Sequence, residues 1–163
     1  MRGKRRRLRL IGAVAAVFSC ATAAASAHPF GAWSGKSGPF AWQAKQVSCG
    51  SVGESPSRVQ AHSRWRRSPA NGYQRLTFSR QIRDDATGEW TTVQRQRRST
   101  RNTRLEGSRE ILHWSQFFFP LAGEGGKTSR HVVRFEWLRD RPGPTDRLVA
   151  ARVKTLRPCV VGE

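Results

Sequence analysis

Residues 73–98, YQRLTFSRQIRDDATGEWTTVQRQRR, contain two alternating segments separated by a turn. In the first segment Leu76, Phe78 and Ile82 share one side of an extended chain, and polar residues lie between them. A period of two is typical of a strand with one face on a core and the other in water. The Asp, Thr and Gly residues of DDATG supply side-chain caps and freedom at positive φ. The stretch therefore predicts a β-hairpin whose second strand is EWTTVQRQRR.

The same period recurs along most of the chain. In SRVQAHSRWRR, Val59 and Trp65 alternate with polar residues, and RHVVRFEWLRD repeats the pattern with Phe135 and Trp137. EILHWSQFFFP is apolar on both faces, which predicts a central strand. Two further strands are predicted in QAKQVSCG and RLVAARVKTLRPC. About seven short strands with no helical period predict an all-β, antiparallel sandwich over residues 42–163.

The N-terminal segment has the three parts of an export signal. Six basic residues stand among the first nine, an apolar run follows from Leu10 to Ala25, and Ala25-Ser26-Ala27 forms a cleavage site. We therefore expect a signal peptide over residues 1–27 and a secreted or cell-envelope protein whose mature chain begins at His28. Val17-Phe18-Ser19-Cys20 keeps open a second possibility, a lipoprotein cut before Cys20. The Gly- and Pro-rich residues 28–41 are expected to form an extended lead-in.

Two cysteines, Cys49 and Cys159, remain after the predicted cleavage. An even number of cysteines in an exported protein favours a disulfide over free thiols or metal ligands. The predicted bond would close a loop of about 110 residues and tie the start of the fold to its last strand.

The segment from Arg130 to Cys159 resembles the last two strands of small bacterial secreted domains of the immunoglobulin or fibronectin type III kind. The resemblance rests on the alternation Phe135-x-Trp137, the turn after it, and a basic strand that ends in cysteine. Trp65, sixteen residues after Cys49, is similar to the cysteine-then-tryptophan order of immunoglobulin domains. The second cysteine departs from that pattern because it lies at the end of the chain. The resemblance implies that the sandwich of residues 42–163 is immunoglobulin-like, and it implies no activity, because this fold hosts many functions.

The strong positive charge of the chain favours anionic partners. The formal net charge is +19, and it becomes +13 without residues 1–27, which carry six basic residues and no acidic one. Residues 95–104 are expected to provide basic contacts, and residues 99–109 are predicted to form a mobile loop. The expected partner is an anionic cell-wall polymer, polysaccharide or lipid surface rather than a specific nucleic acid, and no transmembrane span is expected in the mature chain. The candidate binding residues are Arg95, Arg97, Arg98, Arg101 and Arg104.

The sequence contains no catalytic constellation that we could identify, and an enzyme is not predicted. No serine lies in a G-x-S-x-G motif. A copper site is an alternative, because a histidine at the mature N-terminus binds this metal through its amino and imidazole nitrogens. A signal peptide, His28 as the first residue and immunoglobulin-like sheets resemble copper-binding sandwiches of the periplasmic carrier and polysaccharide monooxygenase kinds. The candidate partners of His28 are His62, His113 and His131. A purely structural secreted domain is the third alternative, and the oligomeric state stays open.

Overall fold

The computed structural model describes residues 35–69, 72–101, 111–140, 142–143 and 146–163, and of residues 101 and 111 the backbone alone. Within these residues the chain forms nine β-strands and no helix. The all-β prediction is therefore confirmed, whereas the predicted signal peptide, Cys20 and His28 lie outside the described residues. The strands are β1 (Gly35–Ser37), β2 (Phe40–Ser48), β3 (Ser57–Trp65), β4 (Tyr73–Arg83), β5 (Trp90–Arg101), β6 (Ile111–Phe118), β7 (Thr128–Leu138), β8 (Leu148–Thr155) and β9 (Cys159–Val160).

The nine strands pair antiparallel into two sheets that form a sandwich. The first sheet has the order β1-β2-β3-β6, and the second has the order β5-β4-β7-β8. The short strand β9 joins the second sheet by pairing with the start of β7. Strands β3 and β4 follow each other in the chain but lie in different sheets, so the chain crosses between the sheets there and again after β5 and β6.

Alternation along the central strands builds the core between the sheets. Strand β3 contributes Val59 and Trp65, which are buried against residues such as Phe78 of β4. Strand β7 contributes Phe135 and Trp137, both fully buried. The prediction that Trp65 and Trp137 lie in the core is confirmed. Each large apolar side chain buried in this way contributes about 1.5–3 kcal/mol to folding.

The seven predicted strands correspond to β2–β8, and the structure adds two short ones at the ends. Strand β1 lies inside the segment predicted as a lead-in, and β2 begins at Phe40, so within the described residues the sheets already include Gly35. The ring of Phe40 packs against that of Trp137 with 4.8 Å between centroids. This contact fastens the start of the domain to the core. Strand β9 forms where the chain returns beside Ser129.

Strand β6 differs from its prediction as a central strand. It stands at the end of the first sheet and pairs with β3 alone among the described strands. Its inward residues Leu112 and Phe118 are buried, but Trp114 and Phe117 are 37% and 45% exposed. The apolar residues on both faces of β6 therefore do not reflect a central position in the sheet. The exposed rings lie beneath arginine guanidinium groups, Arg58 over Phe117 at 5.3 Å and Arg98 over Trp114 at 5.2 Å.

The predicted turn between β4 and β5 is confirmed. The Asp84 Oδ1 atom accepts hydrogen bonds from the backbone nitrogens of Ala86 and Thr87 at 3.0 and 2.7 Å, and from the Thr87 hydroxyl at 3.0 Å. These bonds hold the pKa of Asp84 below its usual range. Gly88 has a φ of 74°, a conformation that side chains with a Cβ rarely adopt.

The predicted disulfide is present between Cys49 and Cys159, whose Cα atoms are 6.1 Å apart. Cys49 directly follows β2 of the first sheet, and Cys159 lies in β9 of the second sheet. The bond therefore joins the two sheets at one end of the sandwich. The Gln46 side-chain amide donates hydrogen bonds to both sulfur atoms.

Candidate anion-binding site

A groove of about 320 Å³ runs over the outer face of the second sheet. Leu76 and Phe78 of β4 face the core, so the odd-numbered residues of this strand point to the opposite face. Among these, Thr77 and Ser79 form the floor of the groove, each only 9% exposed because longer side chains on the neighbouring strands shield them. Neither hydroxyl has a hydrogen-bond partner in the part of the chain that the structure describes. The floor therefore presents two oxygens that can donate or accept a hydrogen bond.

Arg95 and Arg97 of β5 form one wall of the groove. Arg95 is the cross-strand partner of Ser79, and Arg97 is the partner of Thr77. Both side chains are exposed, and no described carboxylate lies within ion-pair distance of either. Because they are two residues apart on a strand, their side chains project from points about 7 Å apart. The wall thus offers two guanidinium groups beside two hydroxyls.

One end of the groove is closed by a cluster of ion pairs. Glu136 of β7 accepts hydrogen bonds from Arg75 at 2.7 and 3.1 Å and from Arg134 at 3.0 Å. Arg75 also binds Asp146 at 2.7 Å. Burial opposes the ionisation of Glu136, but the two arginines outweigh burial and hold the pKa of Glu136 below its usual range. The ion pairs hold Arg75 and Arg134 in place and balance their charges. The unbalanced positive charge of the groove is therefore that of Arg95 and Arg97.

A second group of contacts orders the other end of the same face. The Arg130 guanidinium lies 4.0 Å from the centroid of the Trp90 ring, and its Nε donates to Gln81 Oε1 at 2.8 Å. Gln81 Nε2 in turn donates to Thr92 Oγ1 at 3.1 Å. Burial lowers the pKa of Arg130 from its ordinary value. Between the Gln81 row and the Arg75 row the face extends over about 20 Å of strand.

The structure divides the five arginines that were predicted to bind anions. Arg95 and Arg97 line the groove, whereas Arg98 points to the other side of β5 and lies over Trp114. The backbone of Arg101 ends β5 opposite Tyr73, and Arg104 lies outside the described residues. Residues 95–98 belong to a strand as predicted, whereas the mobile loop predicted over residues 99–109 is wrong for residues 99–101, which also belong to β5. Each of residues 95–101 pairs with a residue of β4.

Sequence reasoning missed the contribution of β4 and β7 to the groove. Arg75 lies in β4, whereas Arg130 and Arg134 lie in β7, and the common face of these residues follows only from the pairing of the two strands. The only indication of this face in the sequence was the alternation of arginines with apolar residues along β4 and β7. Arg75 lies one residue before Leu76, and Arg134 lies between Val133 and Phe135, so each was assigned to a solvent face without a known neighbour.

A serine, a histidine and a glutamine form a second polar arrangement inside the sandwich. Ser57 Oγ lies 2.8 Å from His131 Nε2, and His131 Nδ1 lies 3.1 Å from Gln46 Oε1. Burial and the charge of Arg80 lower the pKa of His131 to about 4. The order of groups is that of a nucleophile, a base and an orienting residue. However, Ser57 and His131 are both 0% exposed, so no substrate can reach the hydroxyl in this conformation.

The described residues hold no group of three or more His, Cys, Asp and Glu side chains that could bind a metal ion. They also form no helix long and apolar enough to cross a membrane. His131 is enclosed in the core, whereas His62 and His113 lie side by side on the outer face of the first sheet. Whether His28 binds copper stays a prediction.

No protein-family model and no curated protein sequence matches the chain. The function is therefore argued from the geometry of the groove and the charge of the surface.

Proposed function

We propose that the protein is an exported, non-catalytic binding domain whose groove on the second sheet holds an anionic polymer. One observation carries the proposal: Arg95 and Arg97 stand exposed, without a described carboxylate partner, beside the Thr77 and Ser79 hydroxyls. Arginine binds sulfate, phosphate and carboxylate oxygens through two parallel hydrogen bonds. The hydroxyls supply further hydrogen bonds to the same ligand.

The ligand class follows from the form of the site. A shallow groove that is open along the strands accepts a chain more readily than a small molecule, and the polar floor suits a hydrated polymer. An acidic polysaccharide or an anionic cell-wall polymer fits these features. The net charge of +13 without residues 1–27 adds attraction at long range and raises the rate of encounter.

The test compares two neighbouring arginines on opposite faces of the same strand. Arg97→Ser removes a groove residue, and Arg98→Ser removes the same charge from the other face. We expect Arg97→Ser to weaken the binding of a sulfated polysaccharide and to reduce the slope of log K against log salt by about one. Arg98→Ser should leave most of the affinity in place. Equal losses in the two variants would show that only the net charge matters, and would overturn the assignment of the groove.

The proposal includes export of the protein from the cell. The disulfide between Cys49 and Cys159 fits an oxidising compartment. The intact mass of the protein from its own host, measured without reduction, should correspond to a chain that begins at His28 and lacks two hydrogens. A mass that begins at a lipidated Cys20 would instead make the protein a membrane-tethered domain and would refute cleavage after Ala27.

We also propose that the sandwich is of the immunoglobulin-like kind. In the first sheet, the order β2, β3, β6 matches the order of strands A, B and E in an immunoglobulin domain. In the second sheet, the order β5, β4, β7, β8 matches that of strands C′, C, F and G. That correspondence supports the relation. The disulfide differs, because it joins the segment after β2 to β9 instead of the two central strands. A solved structure aligned with this class of domain would test it, and a different strand order would reject it.

A further inference from the structure

The groove on the second sheet repeats one arrangement of side chains along its length. Arg95 lies directly opposite Ser79, and Arg97 lies directly opposite Thr77. Each of these two arginine–hydroxyl rows therefore places one guanidinium group and one hydroxyl group on the face that lines the groove. The rows are two residues apart along both strands, so two equivalent anion sites follow each other at a spacing of about 7 Å.

We propose that the two rows bind consecutive phosphates of a phosphodiester chain whose links are short polyols. This assignment rests on the proposed function of the groove and names its ligand. About six bonds separate the phosphorus atoms on either side of a three-carbon polyol, and an extended chain covers about 3.8 Å in three bonds, so neighbouring phosphates lie about 7 Å apart. Each phosphodiester carries one negative charge and two unbridged oxygens, which suit the two parallel hydrogen bonds of one guanidinium group. The hydroxyl of the same row donates a further hydrogen bond to the phosphate.

The neighbouring side chains limit the ligand to two phosphates at a time. Arg75, one row beyond Thr77, forms an ion pair with Glu136 at 2.7 Å, and Arg134 pairs with the same carboxylate at 3.0 Å. At the other end of the groove, the Gln81 amide donates a hydrogen bond to Thr92 at 3.1 Å. Within the groove, the groups that stay available to an anion are therefore those of the two arginine–hydroxyl rows.

Two other anionic chains fit the rows less well. A polysaccharide with an acid on every second sugar places its carboxylates a whole disaccharide apart, which is farther than the spacing of the rows. Single-stranded nucleic acid has closely spaced phosphates, but proteins bind it by stacking its bases on aromatic rings. The described residues that line the groove include no aromatic side chain, and the Trp90 ring on the same face is covered by the Arg130 guanidinium at 4.0 Å. The lining of hydroxyls and guanidinium groups suits a polyol phosphate instead.

The test compares two synthetic phosphodiester oligomers that carry the same number of phosphates. A three-carbon diol joins the phosphates in one oligomer and a six-carbon diol joins them in the other, so the charge is equal and only the spacing differs. Binding to the full chain with its disulfide intact is measured by calorimetry. We expect the three-carbon oligomer to bind at least about fivefold more tightly, because the longer links must lose more conformational freedom to bring phosphates into both rows.

Arg95→Ser and Arg98→Ser form the matched pair of variants. Arg95→Ser leaves one complete row, so it should weaken binding and remove the preference between the two oligomers. Arg98→Ser removes the same charge from the other side of β5, where Arg98 lies over Trp114, and should keep the preference. Both arginines are exposed, so both variants should fold, and circular dichroism checks that they do.

Equal affinities of the two oligomers for the unaltered protein, or a preference that persists in Arg95→Ser, would overturn the match of spacing and leave the groove itself in place. Tighter binding of a single-stranded oligonucleotide of the same charge, or of a polysaccharide with an acid on every second sugar, would overturn the choice of a polyol phosphate. If none of these chains binds and a sulfated polysaccharide does not bind either, the proposed function fails together with this assignment.

Discussion

The buried ion pair between Arg80 and Glu124 allows a quantitative test of the core. Arg80 Nη1 donates to Glu124 Oε2 at 2.7 Å, and the side chains are 0% and 9% exposed. Two other Arg80 nitrogens, Nε and Nη2, are buried with no hydrogen-bond partner in the described structure. Glu124 also accepts a bond from the backbone nitrogen of Leu121 at 2.6 Å. The carboxylate is therefore the main compensation for a guanidinium held away from water.

Glu124→Gln keeps the size of the side chain and an oxygen for Leu121, but it removes the negative charge. Breaking a buried pair by losing one partner costs about 3–5 kcal/mol, because an uncompensated charge stays buried. For a domain of this size that cost lowers the Tm by roughly 10–20 °C. Replacing both partners with apolar residues, Arg80→Met with Glu124→Leu, should restore the free energy of unfolding to near that of the wild type.

Urea unfolding followed by tryptophan fluorescence measures these changes. Asp85→Asn, which removes an exposed carboxylate in the β4–β5 turn, is the control and should change the free energy of unfolding by less than about 0.5 kcal/mol. A loss below about 1 kcal/mol in Glu124→Gln would refute the reasoning, because it would mean that water reaches the Arg80 guanidinium.

Two further predictions concern pH and the disulfide. The pKa of His131 is about 4 in the folded protein and about 6.5 when unfolded, so its contribution is complete above pH 6.5 and is lost as the pH falls toward 4. The loss amounts to about 3 kcal/mol, and His131→Gln should flatten the measured stability over that range. Replacing Cys49 and Cys159 with serine should lower the free energy of unfolding by about 4–5 kcal/mol, because the bond closes a loop of 110 residues. Equal urea midpoints for the oxidised and serine forms would contradict that expectation.

The sequence pattern predicted the strands well because local alternation determines which residues are buried. It located seven strands, the β4–β5 turn and the disulfide, and it placed Trp65 and Trp137 in the core. Alternation does not reveal which strands become neighbours. The apolar segment of β6 was therefore predicted to be central, whereas it lies at a sheet end with its rings under arginines.

The same limit applies to the candidate sites. Arg95 and Arg97 were identified by charge alone, but their separation from Arg98 depends on which face of β5 each one occupies. The contact between His62 and His113 depends on the register of β3 with β6, which joins residues 51 positions apart. Arg80 occupies a core position of β4 in the pattern itself, and only its pairing with Glu124 explains how a guanidinium is tolerated there.

The most direct measurement of the central claim is a map of backbone amide chemical shifts during titration with a short sulfated oligosaccharide. The account predicts that the shifts concentrate at Thr77, Ser79 and residues 95–97, and that they shrink as salt is added. Shifts concentrated on the outer face of β3 and β6, or spread evenly over all basic residues, would contradict the groove as the binding site.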